Sequence, residues 1–139
     1  MEAIVPYLTF PGNAAEAMSF YAKALKGEIV LSQTFGESPM ESKPEDAGKI
    51  MHAVLKAGPL MIMASYANEQ HPVSNGNSVS LSLNFTDEKT IEETFQALSG
   101  GANITMPLQD TFWGAKFGML TDKFGMAWMF NHDKEPQEN

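Results

Sequence analysis

Few side chains in this sequence are equipped for chemistry. Its three histidines, His52, His71 and His132, lack the paired spacing of metal ligands. His52 lies in the strand-like run Ile50–Leu55 and shares one side with Val54, while Met51, Ala53 and Leu55 take the other. It is a candidate general base; the plainer alternative is a histidine satisfied by a backbone carbonyl or a neighbouring hydroxyl. Trp113 and Phe117 form an aromatic pair beside Gly114 and Gly118. They could clamp a flat ligand or form a structural aromatic cluster. Glu37 beside Gly36 is either an acid on a lid or a solvated surface carboxylate. Ser65 and Tyr66 end a strand and could supply hydroxyls, or simply face water. No nucleophile–base–orienter trio and no carboxylate pair is visible.

Composition removes whole classes of function. There is no Cys, hence no disulfide, no thiolate nucleophile and no Cys-based zinc site. Net charge is −8, and all nine basic residues are Lys. Without Arg there is no planar two-pronged grip on phosphate, and the acidic field repels nucleic acid. No window reaches the roughly 18 uninterrupted apolar residues of a membrane span. The start, Met1-Glu2-Ala3-Ile4-Val5-Pro6, has no basic stretch followed by an apolar run, so no signal peptide and a cytoplasmic location are expected.

The elements that would hold these residues occur twice. Leu8-Thr9-Phe10, a turn at Pro11-Gly12-Asn13 and a helical run to Phe20-Tyr21-Ala22 recur as Leu83-Asn84-Phe85, Thr86-Asp87-Glu88 and Phe95-Gln96-Ala97, at a constant offset of 75 residues. Asn13 and Asp87 (or Thr86) suit helix N-caps, and Gly27 and Gly100-Gly101 punctuate the helix ends. Lys56-Ala57-Gly58 and Lys123-Phe124-Gly125 echo each other at an offset of 67, which makes the first half eight residues longer. The surplus falls in the polar stretch Gly36–Gly48, read as a loop. Each half reads strand–helix–strand–strand–strand. The spacing predicts elements at Val5–Phe10, Ala14–Leu25, Glu28–Phe35, Ile50–Lys56 and Leu60–Ser65, then at Val79–Phe85, Glu88–Ser99, Ile104–Asp110, Ala115–Thr121 and Ala127–Asn131, with His71–Asn77 as linker.

Paired βαβββ modules resemble the vicinal oxygen chelate superfamily of glyoxalases, extradiol dioxygenases and bleomycin-resistance proteins. Within it the sequence is similar to PhnB-like proteins. The likeness is carried by Pro6-Tyr7-Leu8-Thr9-Phe10, Gly12-Asn13, Glu16-Ala17, Phe20-Tyr21, Phe35-Gly36-Glu37, His52-Ala53 and Leu60-Met61. Its most specific block runs from Phe112-Trp113-Gly114 through Thr121-Asp122-Lys123-Phe124-Gly125 to Trp128. Where such proteins often carry an Asp after the fourth strand, this chain has Tyr66. The resemblance implies an α+β fold of one domain, residues 1–139, with modules at about 3–66 and 78–132 and curved mixed sheets facing a cleft. It also implies a homodimer. PhnB-like proteins often carry the label demethylubiquinone methyltransferase, yet no Gly-rich strand–turn–helix loop for a nucleotide-like cofactor occurs near the N-terminus.

Metal-dependent members of the superfamily draw His and Glu ligands from the first and last strand of each module. The matching places here are Val5–Pro6, Ile62–Met63, Ser78–Ser80 and Met129–Phe130, and none offers His, Asp or Glu. Met63 and Met129 are soft donors that suit Cu(I), although buried methionines more commonly fill a core. Alternation along Ser78–Phe85 turns the serines toward the cleft, and the 75-residue offset puts Val5, Tyr7 and Thr9 on that face too. The expected cleft is lined by Tyr7, His52, Met63, Ser65, Ser80, Trp113, Phe117 and Met129. It suits a mostly uncharged small organic molecule, aromatic ones included, bound with no metal and no cofactor. The alternatives are a metal-dependent lyase, isomerase or dioxygenase, and a purely structural or interaction protein.

Overall fold

Apolar residues alternate along short β-prone runs and recur at helical spacing between them, and the chain folds into two compact units, Met1–Ser74 and Asn75–Asn139. In the computed structural model, residues 1–39, 41–67 and 72–134 are described. His71, counted above among the histidines and as the start of the linker, lies outside them.

The first unit runs β1 (Tyr7–Phe10), α1 (Ala14–Ala24), β2 (Glu28–Thr34), β3 (Ile50–Ala57) and β4 (Leu60–Tyr66). The second repeats this plan as β5 (Leu81–Asn84), α2 (Glu88–Ser99), β6 (Asn103–Asp110), β7 (Ala115–Thr121) and β8 (Ala127–Asp133). The sheet orders are β1-β4-β3-β2 and β5-β8-β7-β6. In each, the first strand pairs parallel with the last and the other pairs are antiparallel. The fold is α+β, two mixed four-stranded sheets with one helix each.

Each helix covers one face of its own sheet. In the first unit Ala17, Met18 and Tyr21 of α1 are buried, as are Leu8, Phe10, Leu55, Ile62 and Ala64 of the strands. Each large apolar side chain so buried contributes about 1.5–3 kcal/mol. Phe95 of α2 packs edge-on to Phe130 at 4.9 Å and lies over Gly118, where a Cβ would come within 3.0 Å of its ring. Gly118 is therefore small to admit the helix.

The end of α1 also differs from expectation. Lys26, not Gly27, takes the left-handed conformation (φ 55), and the Gly27 N–H closes the helix on the Ala22 carbonyl at 2.8 Å. Glycine is required at 27 for another reason: a Cβ there would sit 2.5 Å from the Lys56 carbonyl oxygen. At the helix starts, Asp87 accepts from Thr90 N at 2.7 Å, as a cap should. Asn13 does not cap. Its ψ of 28 departs from the extended geometry a capping side chain needs, and its buried Oδ1 has no hydrogen-bond partner.

Register corrects the account of the repeat. Glu28 faces Lys56 and Asn103 faces Thr121, so β2 and β6 keep the 75-residue offset while β3 and β7 differ by 65. Up to the third strand the first unit is thus ten residues longer: the β2–β3 connection, 35–49, has eleven residues more than the β6–β7 connection, 111–114, and the register shift between Met106 and Gln109 offsets one. One residue is recovered at the next hairpin. Ala57 pairs with Leu60 across Gly58-Pro59, whereas Asp122 N donates to the Met126 carbonyl across three residues. The glycine echo at 67 superposes two left-handed turn residues, Gly58 (φ 59) and Gly125 (φ 90), rather than the strands.

That longer turn has its own fastening. Asp122, 3% exposed, accepts from Phe124 N at 2.8 Å, Met126 N at 3.1 Å and Trp128 Nε1 at 2.8 Å. The sequence block most specific to the family is thus a hairpin closure that also seats a buried tryptophan.

Candidate functional site

The helix-free face of the first unit carries the residues best placed for chemistry. Tyr7 and Thr9 alternate with buried Leu8 and Phe10 and so point away from α1. Tyr7 lies beside Met63, Met63 faces Val54, Val54 faces Leu31, and Thr9 lies beside Ser65. His52 faces Gln33 on the edge strand. Across this surface Tyr7 and His52 stack, with ring centroids 5.7 Å apart and planes inclined by 19°, and the phenol oxygen lies 3.1 Å from His52 Nδ1. Tyr7 is 50% exposed. Four of the expected residues, Tyr7, His52, Met63 and Ser65, thus share one accessible face. The histidine is thus partnered by a neighbouring hydroxyl, as the plainer of its two readings had it.

Two first-unit candidates do other work. Glu37 Oε1 accepts from Thr34 Oγ1 at 2.8 Å, and Glu37 N lies 3.3 Å from the same hydroxyl, which binds it into a local turn. Tyr66 anchors the long connection. Lys49 Nζ donates to its hydroxyl at 3.1 Å, lies 4.4 Å from the ring centroid and pairs with Asp46 at 3.3 Å. The Tyr66 hydrogen bond, then Asp46, raises the Lys49 pKa above its ordinary value. Phe35 N donates to the Lys49 carbonyl and Gly36 N to the Ala47 carbonyl, so the connection read as a loop is fastened at its base.

In the second unit Trp113 is 56% exposed and leans edge-on to Phe117 at 6.3 Å, with Phe112, 97% exposed, against it at 5.0 Å. Phe117 faces Asn131 and Gln109 on the helix-free side. Met129 lies there too, beside Ser82 and facing Met119. Ser80 lies outside β5, which begins at Leu81, so Ser82 holds the place expected for Ser80. Sequence reasoning also missed Gln33, Gln109, Met106 and Met119, for which strand pairing is the only signal.

Where the first and last strands of each unit pair, Tyr7 lies beside Met63 and Ser82 lies beside Met129. A phenol, a serine hydroxyl and two thioethers do not fit a hard or borderline divalent ion, which takes carboxylates and imidazoles. Among the described residues no group of three or more His, Cys, Asp or Glu could hold a metal ion. None of the described helices is long and apolar enough to cross a membrane.

Paired βαβββ units of this topology give the chain the fold of glyoxalase/bleomycin-resistance proteins. Residues 2–130 match the family described as 3-demethylubiquinone-9 3-methyltransferase, and the chain belongs to this PhnB-like family. It is 33% identical over 146 residues to protein YjdN of Escherichia coli K12, covering 94% of this chain and 95% of that one. The crystal structure of protein PA1353 from Pseudomonas aeruginosa is similar at a TM-score of 0.88 and 42% identity, covering 97% of this chain and all of the other. A PhnB protein from Bacillus cereus is similar at a TM-score of 0.80 and 29% identity, covering 94% and 99%.

Proposed function

We propose that this protein binds a small, flat, mostly uncharged organic molecule on the helix-free face of its first unit, without a divalent metal, and does so as a homodimer that sequesters the compound. The stacked Tyr7–His52 pair carries this reading. Two aligned rings on an exposed strand face offer a ready-made stacking surface, and their polar edges fix orientation through single hydrogen bonds. Met63, Val54 and Leu31 beside them supply adaptable apolar contact, and Thr9, Ser65 and Gln33 supply neutral donors and acceptors. The Trp113–Phe117 pair gives the second unit a comparable aromatic surface. The methyl transfer named in the family description is not carried over, because none of these groups is a methyl acceptor's base paired with a cofactor cradle.

A thermal-shift screen of neutral aromatic compounds against their carboxylate analogues tests the reading. A ligand at 100 times its Kd raises native stability by about 2.7 kcal/mol. The neutral series should shift the transition and the carboxylates should not, and the shift should vanish in His52→Ala. Stoichiometric Ni, Zn, Mn or Fe surviving dialysis would instead favour the metal-dependent lyase, isomerase or dioxygenase. Light scattering at micromolar concentration should give twice the monomer mass; the monomer value would remove the dimer.

A further inference from the structure

Three methionines form a line across the second sheet. Met106 on β6 directly faces Met119 on β7, and Met119 directly faces Met129 on β8. All three are on the helix-free side and half-buried, unlike Met18, which is 1% exposed beneath α1. They are therefore not core filler.

The first unit supplies an internal control. The places equivalent to Met106, Met119 and Met129 are held there by Leu31, Val54 and Met63, in the same cross-strand register. An apolar wall at these positions thus carries a single sulfur, that of Met63, beside two branched aliphatics in one unit and sulfur at every position in the other. β6 is irregular on both sides of Met106, with register shifts between Ile104 and Met106 and between Met106 and Gln109, yet Met106 returns to direct opposition with Met119. Bulges of this kind re-aim a side chain.

We propose that Met106, Met119 and Met129 form a thioether site for a soft monovalent cation, Cu(I) or its mimic Ag(I). Directly opposed residues on adjacent strands hold their Cβ atoms about 4.5–5.5 Å apart, and the unbranched methionine arm lets the outer sulfurs swing toward the central one. Thioethers select Cu(I)-like ions over Zn, Mg or Ca, which need imidazole, thiolate or oxygen donors. The chain has no Cys to compete for such an ion. The methionines belong to the second unit and the Tyr7–His52 pair to the first, and the two proposals rest on different observations.

Titration of the intact protein with silver nitrate in chloride-free buffer, read by methyl-labelled methionine NMR, tests the site, with anaerobic Cu(I) competition against bicinchoninate alongside. One equivalent should shift the methyl signals of Met106, Met119 and Met129, and affinity should fall at least tenfold in Met119→Leu but not in Met18→Leu. Should Met119→Leu fail to fold, the Met106→Leu/Met129→Leu pair serves the same purpose. Unchanged affinity in these variants, shifts spread evenly over all the methionines, or equal competition by Zn(II) would overturn the assignment.

Discussion

His52 and Phe117 occupy the same place in the two sheets: each stands on the third strand of its module, facing a glutamine on the edge strand, Gln33 in one case and Gln109 in the other. Both places face a glutamine, and they differ in the ring. An imidazole that can exchange protons stands in one unit and an inert phenyl in the other. Each ring has recruited an aromatic partner from a different direction, Tyr7 from the first strand and Trp113 from the β6–β7 turn. At this position only the first unit carries a ring with hydrogen-bonding nitrogens.

Tyr7→Phe isolates the hydrogen bond from the stack. When the phenol donates to Nδ1, the ring carries its proton on Nε2; without the hydroxyl that preference is released. Nitrogen NMR of His52 should show the Nδ1-protonated tautomer growing in the variant. Affinity for a neutral aromatic ligand should fall roughly tenfold, the worth of about one hydrogen bond. A tautomer balance unmoved by the substitution would mean that the phenol is not the donor.

Trp113→Ala should leave the fold nearly as stable as the parent, within about 1 kcal/mol, because a half-exposed ring leaves no buried cavity behind. Ligand-induced thermal shifts should disappear from any compound that stacks on the second unit, and Trp113→Phe should restore most of them. A loss on the order of 3–5 kcal/mol in urea unfolding would instead show a core tryptophan.

Asp122→Ala should be among the more damaging single changes. It strands two backbone N–H groups and the buried Trp128 indole N–H at once. A cost of about 3 kcal/mol or more is expected. Urea unfolding measures it, and the Trp128 indole proton should exchange with solvent faster in whatever native state remains.

Acid should weaken the second unit first. Thr90, chiefly through its backbone N–H, lowers the Asp87 pKa below its ordinary 3.8; the Lys134 ammonium does the same for Glu88, below 4.5, and for Asp110, below 3.8. Groups with depressed pKa stabilise fully above their unfolded values and lose that contribution as pH falls through the folded ones. Lys134 is shifted upward by Asp110 and then Glu88, so its share holds below its ordinary 10.5 and is lost only in stronger alkali. These groups leave stability flat from about pH 5.5 to 9.5 and reduce it below about pH 4. Urea midpoints across that range check the profile, and Asp87→Ala should show a shallower acid limb than the parent.

Legibility in the sequence followed from locality. The helices and strands were readable because their apolar periods are short-range, and the ends of α2, Glu88 and Ser99, match the expectation. Tyr7 and His52 could be placed on one side of their strands by alternation, but their contact spans 45 residues and depends on β1 lying beside β4. The same limit hid the methionine line, which exists only once β6, β7 and β8 are in register. Lys26 was overlooked because glycine is the usual left-handed residue, and the adjacent Gly27 drew the assignment to itself. Ser80 falls just ahead of β5 because a strand's alternation continues in sequence beyond the point where its ladder stops.

The parallel β1–β4 pairing also sets a timetable for synthesis. Tyr7 meets Met63 and Phe10 meets Tyr66, so the earliest strand made in the unit must wait for the last. The closure that completes the sheet is also the one that spans most chain. Asn84 in turn waits for Asn131. The protein is assembled as two successive clasps, each snapping shut at its own far end.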